Sequence, residues 1–150
     1  MDRPDRDDRD RVEAHAALRS QAEWRARLTV EQYRITRRQG TERPYSGGYL
    51  NCSTPGTYCC VCCGAPLFRS ESKFDSGTGW PSFRAPLPDA PLGTREERRL
   101  LGRRTEVHCL HCAAHLGHVF SDGPQPGGKR YCINSAALSL DADRPDDGPP

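Results

Sequence analysis

Two Cys-x-x-Cys pairs constrain this chain more than any other feature. One lies in residues 59–64, "CCVCCG", and the other in residues 109–112, "CLHC". Four thiolates supplied as two such pairs suit a closed tetrahedral Zn²⁺ site, and a small domain held that way is stitched together by two tight knuckles. The first pair has two registers, because Cys59/Cys62 and Cys60/Cys63 both have the spacing. A knuckle needs a permissive residue just after its second cysteine, and Gly64 follows Cys63. That selects Cys60, Cys63, Cys109 and Cys112 as metal ligands. His108 or His111 could replace a thiolate, but two symmetric pairs already complete the coordination. A redox-active Cys-x-x-Cys normally opens a helix in a βαβ setting, and none is visible in the sequence.

The rest of the chain suits that role. It has 150 residues, with 14 Gly and 13 Pro, which implies one domain of short strands and many turns around a modest core. Such a core gains from a metal. Residues 1–12 and 141–150 are charged or Pro-rich with almost nothing apolar, so both are expected to be disordered tails around a domain at 13–140. A helical arm is expected over 13–28. A second helix follows, started by a Thr29–Gln32 capping box and ended at Gly40 as its left-handed residue. Short β-prone runs follow at 57–60, 66–68, 105–108, 118–120 and 131–133. The expected class is mainly β: two small antiparallel sheets, a short N-terminal helical arm and the four-cysteine zinc site.

Composition also excludes partners. A net charge of +2 gives no reason to expect a nucleic acid. Residues 95–104, "REERRLLGRR", are interrupted by Glu96 and Glu97 and fit a solvated strand or loop. No apolar run of roughly 18 residues is present to span a membrane, and the N-terminus has no secretory h-region. The expected compartment is the cytosol, where thiols stay reduced and a disulfide framework is disfavoured.

Cys132 stands apart from both pairs, in "GKRYCINS". By itself it is either a small buried hydrophobe or a reactive thiol. Arg130 can favour a thiolate, and Asn134 lies on the same face of a strand. His115 and His118 stand near a turn in "CAAHLGHVFSDG". Trp80 and Phe83 lie in the Gly- and Pro-rich "GTGWPSF", either as aromatic core anchors or as rings presented at a surface.

In order and spacing, "RITRRQGTERPYSGGY", "GTYCCVCCGAPLF", "KFDSGTGWPSF", "EVHCLHCAAHLGHVFSDGP" and "KRYCINSAALSL" resemble the methionine-R-sulfoxide reductases, the B family of peptide methionine sulfoxide reductases, over residues 28–140. The resemblance implies two antiparallel sheets with the zinc site opposite the active site. It also implies reduction of the R epimer of methionine sulfoxide, free or in oxidised proteins, with a thioredoxin-type reductant and a monomeric enzyme. By position, Cys132 falls on the nucleophile, and His115, His118, Asn134 and Trp80 fall on the substrate pocket. Phe83 and Arg130 are expected beside them. Trp80 and Phe83 would wall the methyl group, and His115, His118 and Asn134 would donate to the sulfoxide oxygen. Thr78 stands where many members carry a resolving cysteine, so recycling falls either to Cys52, in the loop "GGYLNCSTPG", or to thioredoxin or another thiol attacking the sulfenic acid directly. The rival is a non-catalytic zinc-ribbon binding module on the same fold.

Overall fold

The computed structural model describes residues 19–100 and 102–144. The expected tail at 1–12, the start of the expected first helix and the end of the C-terminal tail lie outside the described residues.

The helical arm consists of α1 (Gln21–Arg27) and α2 (Val30–Arg37). Each begins at a reciprocal capping box. Ser20 accepts from Glu23 N–H while Glu23 accepts from Ser20 N–H, and Thr29 and Gln32 do the same. The Ser20 box corrects the expected helix over 13–28. Ser20 is extended, with ψ 162°, so α1 starts at Gln21. The end of α2 also differs from expectation, because Gln39 (φ 54°) takes the left-handed position. Gly40 is needed for a different reason. Its N–H donates to Arg34 O at 3.0 Å, and a Cβ there would sit 2.7 Å from the Arg34 guanidinium.

Nine strands follow among the described residues: β1 (Gly56–Cys60), β2 (Pro66–Arg69), β3 (Lys73–Phe74), β4 (Ser82–Phe83), β5 (Leu92–Arg99), β6 (Gly102–Cys109), β7 (His115–Phe120), β8 (Arg130–Ile133) and β9 (Leu138–Ala142). They form two antiparallel sheets, ordered β2-β1-β9 and β3-β4-β8-β7-β6-β5. β9 overturns part of the expected C-terminal tail. Asp141 and Ala142 pair with Thr57 and Gly56, and Asp143 forms an ion pair with Arg69 at 2.9 Å. Residues 95–99 and 102–104 form the outer half of the β5–β6 hairpin, with Arg95, Glu96, Arg98, Arg103 and Arg104 exposed.

The core lies between the sheets and under the arm. Tyr49, Tyr58, Phe83, Phe68 and Tyr131 meet in a chain of aromatic contacts, with Phe68 and Phe83 stacked at 4.4 Å. Trp24 of α1 is buried, with the Arg37 guanidinium 4.4 Å from its ring. Arg37 also donates to Cys112 O at 2.8 Å, tying the arm to the second knuckle.

Candidate functional site

Two groups of reactive side chains emerge from this frame. The first is the pair of knuckles. The thiols of Cys60, Cys63, Cys109 and Cys112 all lie within 4.8 Å of one another, with Cys60–Cys112 and Cys63–Cys109 each at 3.6 Å. A tetrahedral metal bonded to sulfur at ~2.3 Å sets the sulfurs roughly 3.8 Å apart, so the four fit a metal ion. The knuckles are near copies. Gly64 N–H donates to Cys60 O and Ala113 N–H to Cys109 O, both at 2.8 Å. The residue after each second cysteine is left-handed, Gly64 at φ 82° and Ala113 at φ 64°. The Gly64 argument therefore selects the right register, and Cys59 and Cys62 stay outside the cluster. The second knuckle meets the same requirement with an alanine, at some conformational cost.

The second group surrounds Cys132 on the six-stranded sheet. Cys132 of β8 pairs with His118 of β7 on one side and Ser82 of β4 on the other. His118 pairs with Glu106, and Glu106 with Arg95, so one row of side chains crosses the sheet on a single face. A pocket of about 200 Å³ opens on it, lined in part by Cys132, His118, Asn134, Trp80, Thr78 and Arg104. Gly117 allows β7 to approach closely, since a Cβ there would lie 2.1 Å from the Cys132 carbonyl oxygen.

A bulge explains the two histidines. Separated by three residues, His115 and His118 would face opposite sides of a regular strand. The register shifts between Val107 and His108, so that His108 pairs with His115 while Glu106 pairs with His118. The extra residue in β7 returns His115 to the face of His118, with ring centroids 5.5 Å apart. His115 nevertheless stays behind the pocket. It is 3% exposed, and its Nδ1 lies 2.7 Å from Glu106 Oε2. Burial pushes the Glu106 carboxyl up, but the His108 imidazole 3.5 Å away and the hydrogen bond with His115 outweigh it and hold the group at about 2. His118 lines the pocket with its Nε2 3.1 Å from Glu97 Oε1. Burial lowers its proton affinity, and Glu97 opposes that.

The remaining residues divide similarly. Trp80 stands at the pocket and donates from Nε1 to Glu42 O at 3.0 Å. Phe83 corrects the expectation of a substrate wall: it is fully buried and stacked on Phe68, because β4 turns it into the core. Asn134 is held at both ends, accepting from Glu42 N–H and donating to Leu116 O, each at 3.0 Å. Arg130 lines the pocket, yet it pairs with Asp122 through Nε at 2.9 Å and Nη2 at 3.1 Å. Burial pushes the Cys132 thiol up, against the pull of Thr78 and Arg130, so it rests as a thiol. Arg130 favours a thiolate, as expected, but burial outweighs it.

Cys52 occupies a neighbouring cavity of about 340 Å³, to which Trp80 also contributes. A hydrogen bond from Thr54 N–H lowers its proton affinity, and the Lys73 ammonium adds to the effect. Lys73 pins the loop by donating to Leu50 O at 2.9 Å and Cys52 O at 3.0 Å.

Glu42 escaped the sequence reasoning. It is 3% exposed, and its carboxylate accepts from Ser135 N–H at 2.9 Å and Ala136 N–H at 3.1 Å. Its backbone holds both Trp80 and Asn134. The only signal was an acid inside the loop "GTERPYSGG", which is indistinguishable from a solvated one. Glu97 and Glu106 escaped for the same reason.

Known proteins match this arrangement. The family model described as "SelR domain" matches residues 28–142. The chain is 56% identical over 120 residues to the peptide methionine sulfoxide reductase MsrB of Hahella chejuensis, covering 80% of this chain and 86% of that protein. It is 50% identical over 129 residues to the MsrB of Acinetobacter baylyi, covering 86% and 93%. It is also 59% identical over 118 residues to the chloroplastic peptide methionine sulfoxide reductase B1 of Oryza sativa subsp. japonica, covering 79% of this chain and 55% of that protein.

Proposed function

This chain belongs to the SelR-domain family of MsrB-type peptide methionine sulfoxide reductases, and from that premise we propose that Cys132 is the nucleophile of an enzyme specific for the R epimer. The enzyme is an oxidoreductase that returns methionine sulfoxide to methionine. The observation that carries the residue assignment is the convergence of Cys132, His118, Asn134 and Trp80 on one pocket.

The Trp80 face offers an apolar wall to the methyl group, and the polar side beside His118 and Asn134 suits the sulfoxide oxygen. The Cys132 sulfur attacks the sulfoxide sulfur, and the oxygen ends on Cys132 through a new S–O bond. The sulfoxide S–O bond breaks, and a proton reaches the oxygen. The products are methionine and a sulfenic acid on Cys132, which is the first rung of cysteine oxidation. Cys132 is oxidised by two electrons and the substrate sulfur is reduced by two. His115, held by Glu106, supports the His118 ring from behind through direct ring contact.

Recycling condenses the sulfenic acid with a second thiol, giving a disulfide and water, and a thioredoxin-type dithiol then reduces the disulfide. Cys52 is the candidate thiol, supported by its lowered proton affinity and by the wall it shares with the Cys132 pocket through Trp80. The metal is proposed to be Zn²⁺ held by the four knuckle thiolates, supplying folding free energy and no chemistry. Among the described residues no helix is long and apolar enough to cross a membrane. A reducing compartment such as the cytosol is the proposed setting, and the domain is proposed to end near Asp143, short of an acidic tail.

The test uses separated R and S diastereomers of methionine sulfoxide with dithiothreitol. Wild type should reduce only the R form. Cys132→Ser should fold, keep its metal and lose turnover, whereas His118→Ala should lose less. Turnover of the S form at an equal rate would remove the stereochemical assignment. Mass spectrometry after one equivalent of substrate without reductant should find a Cys52–Cys132 disulfide. A persistent sulfenic acid with Cys52 free would instead favour direct reduction.

A further inference from the structure

The proposed reaction leaves one requirement open. Burial keeps Cys132 as a thiol, so a base must take its proton, and an acid must then deliver a proton to the sulfoxide oxygen. His118 is the imidazole in position. As direct partners in an antiparallel pair, Cys132 and His118 bring their Cβ atoms within about 4.5–5.5 Å of each other.

The side of His118 toward the sheet edge is occupied. Glu97 lies on β5 and pairs with Arg104 of β6, and its carboxylate crosses β6 to reach His118 Nε2 at 3.1 Å. The two side chains are 21% and 12% exposed. A carboxylate only accepts, so a neutral His118 carries its hydrogen on Nε2 and keeps a lone pair on Nδ1. The contrast with the next residue is direct. Glu96 faces the opposite side, is 62% exposed, and meets the Arg103 guanidinium at 3.4 Å.

We infer that Glu97 is a positioning residue that completes a carboxylate–imidazole–thiol triad with His118 and Cys132. The inference rests on Cys132 being the nucleophile. His118 takes the thiol proton as sulfur attacks, Glu97 holds the imidazolium, and the same proton passes to the departing oxygen. The proton balance then closes inside the pocket: Cys132–SH and a sulfoxide become Cys132–SOH and a thioether. Among the described residues, the other charged or titratable groups around His118 are Arg104 and Glu106 on β6, His115 on β7, and Arg130 on β8. Arg104 disfavours an imidazolium, and Glu97 is the acid placed to offset it.

The experiment compares Glu97→Gln, Glu97→Asp, Glu96→Gln and Cys132→Ser in the full chain, each checked for metal content and Tm. Glu97→Gln should lower kcat with R-methionine sulfoxide by about 10- to 100-fold and change KM by less than about threefold. Removing the carboxylate lowers the proton affinity of His118. The base form then survives to lower pH, so the acid limb of kcat/KM should move down. Alkylation of Cys132 by iodoacetamide should show the same displacement. Glu97→Asp should recover part of the rate, and Glu96→Gln should match wild type. Turnover lost in Cys132→Ser but unchanged in rate and pH profile in Glu97→Gln would overturn the triad alone. A fall in Glu97→Gln accompanied by lower Tm and an unmoved acid limb would also overturn it, leaving a structural role. Turnover retained by Cys132→Ser would remove the nucleophile and the triad with it.

Discussion

The knuckle face and the Cys132 face both gather sulfur and polar side chains, but they are assembled differently. Each knuckle is a local turn that closes its own backbone, so its cysteines are placed by neighbours within four residues. Two such turns then need only to meet. The Cys132 pocket draws on Thr41, Thr78 and Trp80 and on β6, β7 and β8, with Glu42 anchoring Trp80 and Asn134. None of these places its side chain alone. The difference teaches that a repeated local motif can build a site almost independently of the fold, whereas a pocket on a sheet inherits every register shift and every buried partner.

Metal removal should have the largest effect if this contrast is right. Structural zinc contributes on the order of 10 kcal/mol to small metallodomains, so chelation or Cys63→Ser should abolish cooperative unfolding and activity together. Retention of the wild-type Tm in metal-free protein would erase the distinction between the two faces. Glu42→Ala comes next. Its carboxylate satisfies two backbone N–H groups, and leaving both unpaired should cost roughly 3 kcal/mol. Activity should fall further than stability predicts, because Trp80 and Asn134 lose their anchor, and bound metal should stay at one equivalent. Metal loss in that variant would show that the faces are coupled.

Glu106 offers a pH test of similar size. Its carboxyl moves from 4.5 to about 2 on folding, so the stability it contributes is fully present above about pH 4.5 and is lost as pH falls toward 2. The shift corresponds to about 3 kcal/mol. Between pH 5 and 2, wild type should therefore lose about that much more stability than Glu106→Gln, measured by denaturant titration. Identical slopes would mean that folding leaves the Glu106 carboxyl at its ordinary value. The smallest effect belongs to the knuckle that uses alanine. Ala113→Gly relieves a left-handed residue and should stabilise the protein by about 0.5–1 kcal/mol, without changing turnover. No gain there would indicate that the Cβ is compensated by its surroundings.

The parts legible in the sequence share one property: their signal lies within a few residues. The Thr29–Gln32 box, the Cys60–Gly64 turn and the β-branched and aromatic runs all report local backbone preferences. Sequence resemblance extended this to Cys132 and its company, because the motifs travel with the family. The misses were of two kinds. Ser20 and Gln39 show a local signal outweighed by another equally local one, a capping box in the first case and a close approach at Gly40 in the second. Phe83, His115, Asp141, Glu42 and Glu97 show tertiary decisions.

The sequence by itself determined the chemistry available: four thiols in two knuckles, one further cysteine between Arg130 and Asn134, two histidines and a tryptophan in a turn-rich loop. The tertiary structure decided which of these meet. It turned Phe83 into the core, drew Asp141 and Ala142 into β9, and used one extra residue in β7 to bring His115 behind His118. It also set two carboxylates, at Glu42 and Glu97, against partners far away in the chain, and Glu106 against His115 across the β6–β7 connection. The physical reason is that a side chain's direction in a sheet depends on the register of its neighbours, and that a buried charge depends on partners whose distance in sequence carries no local signal.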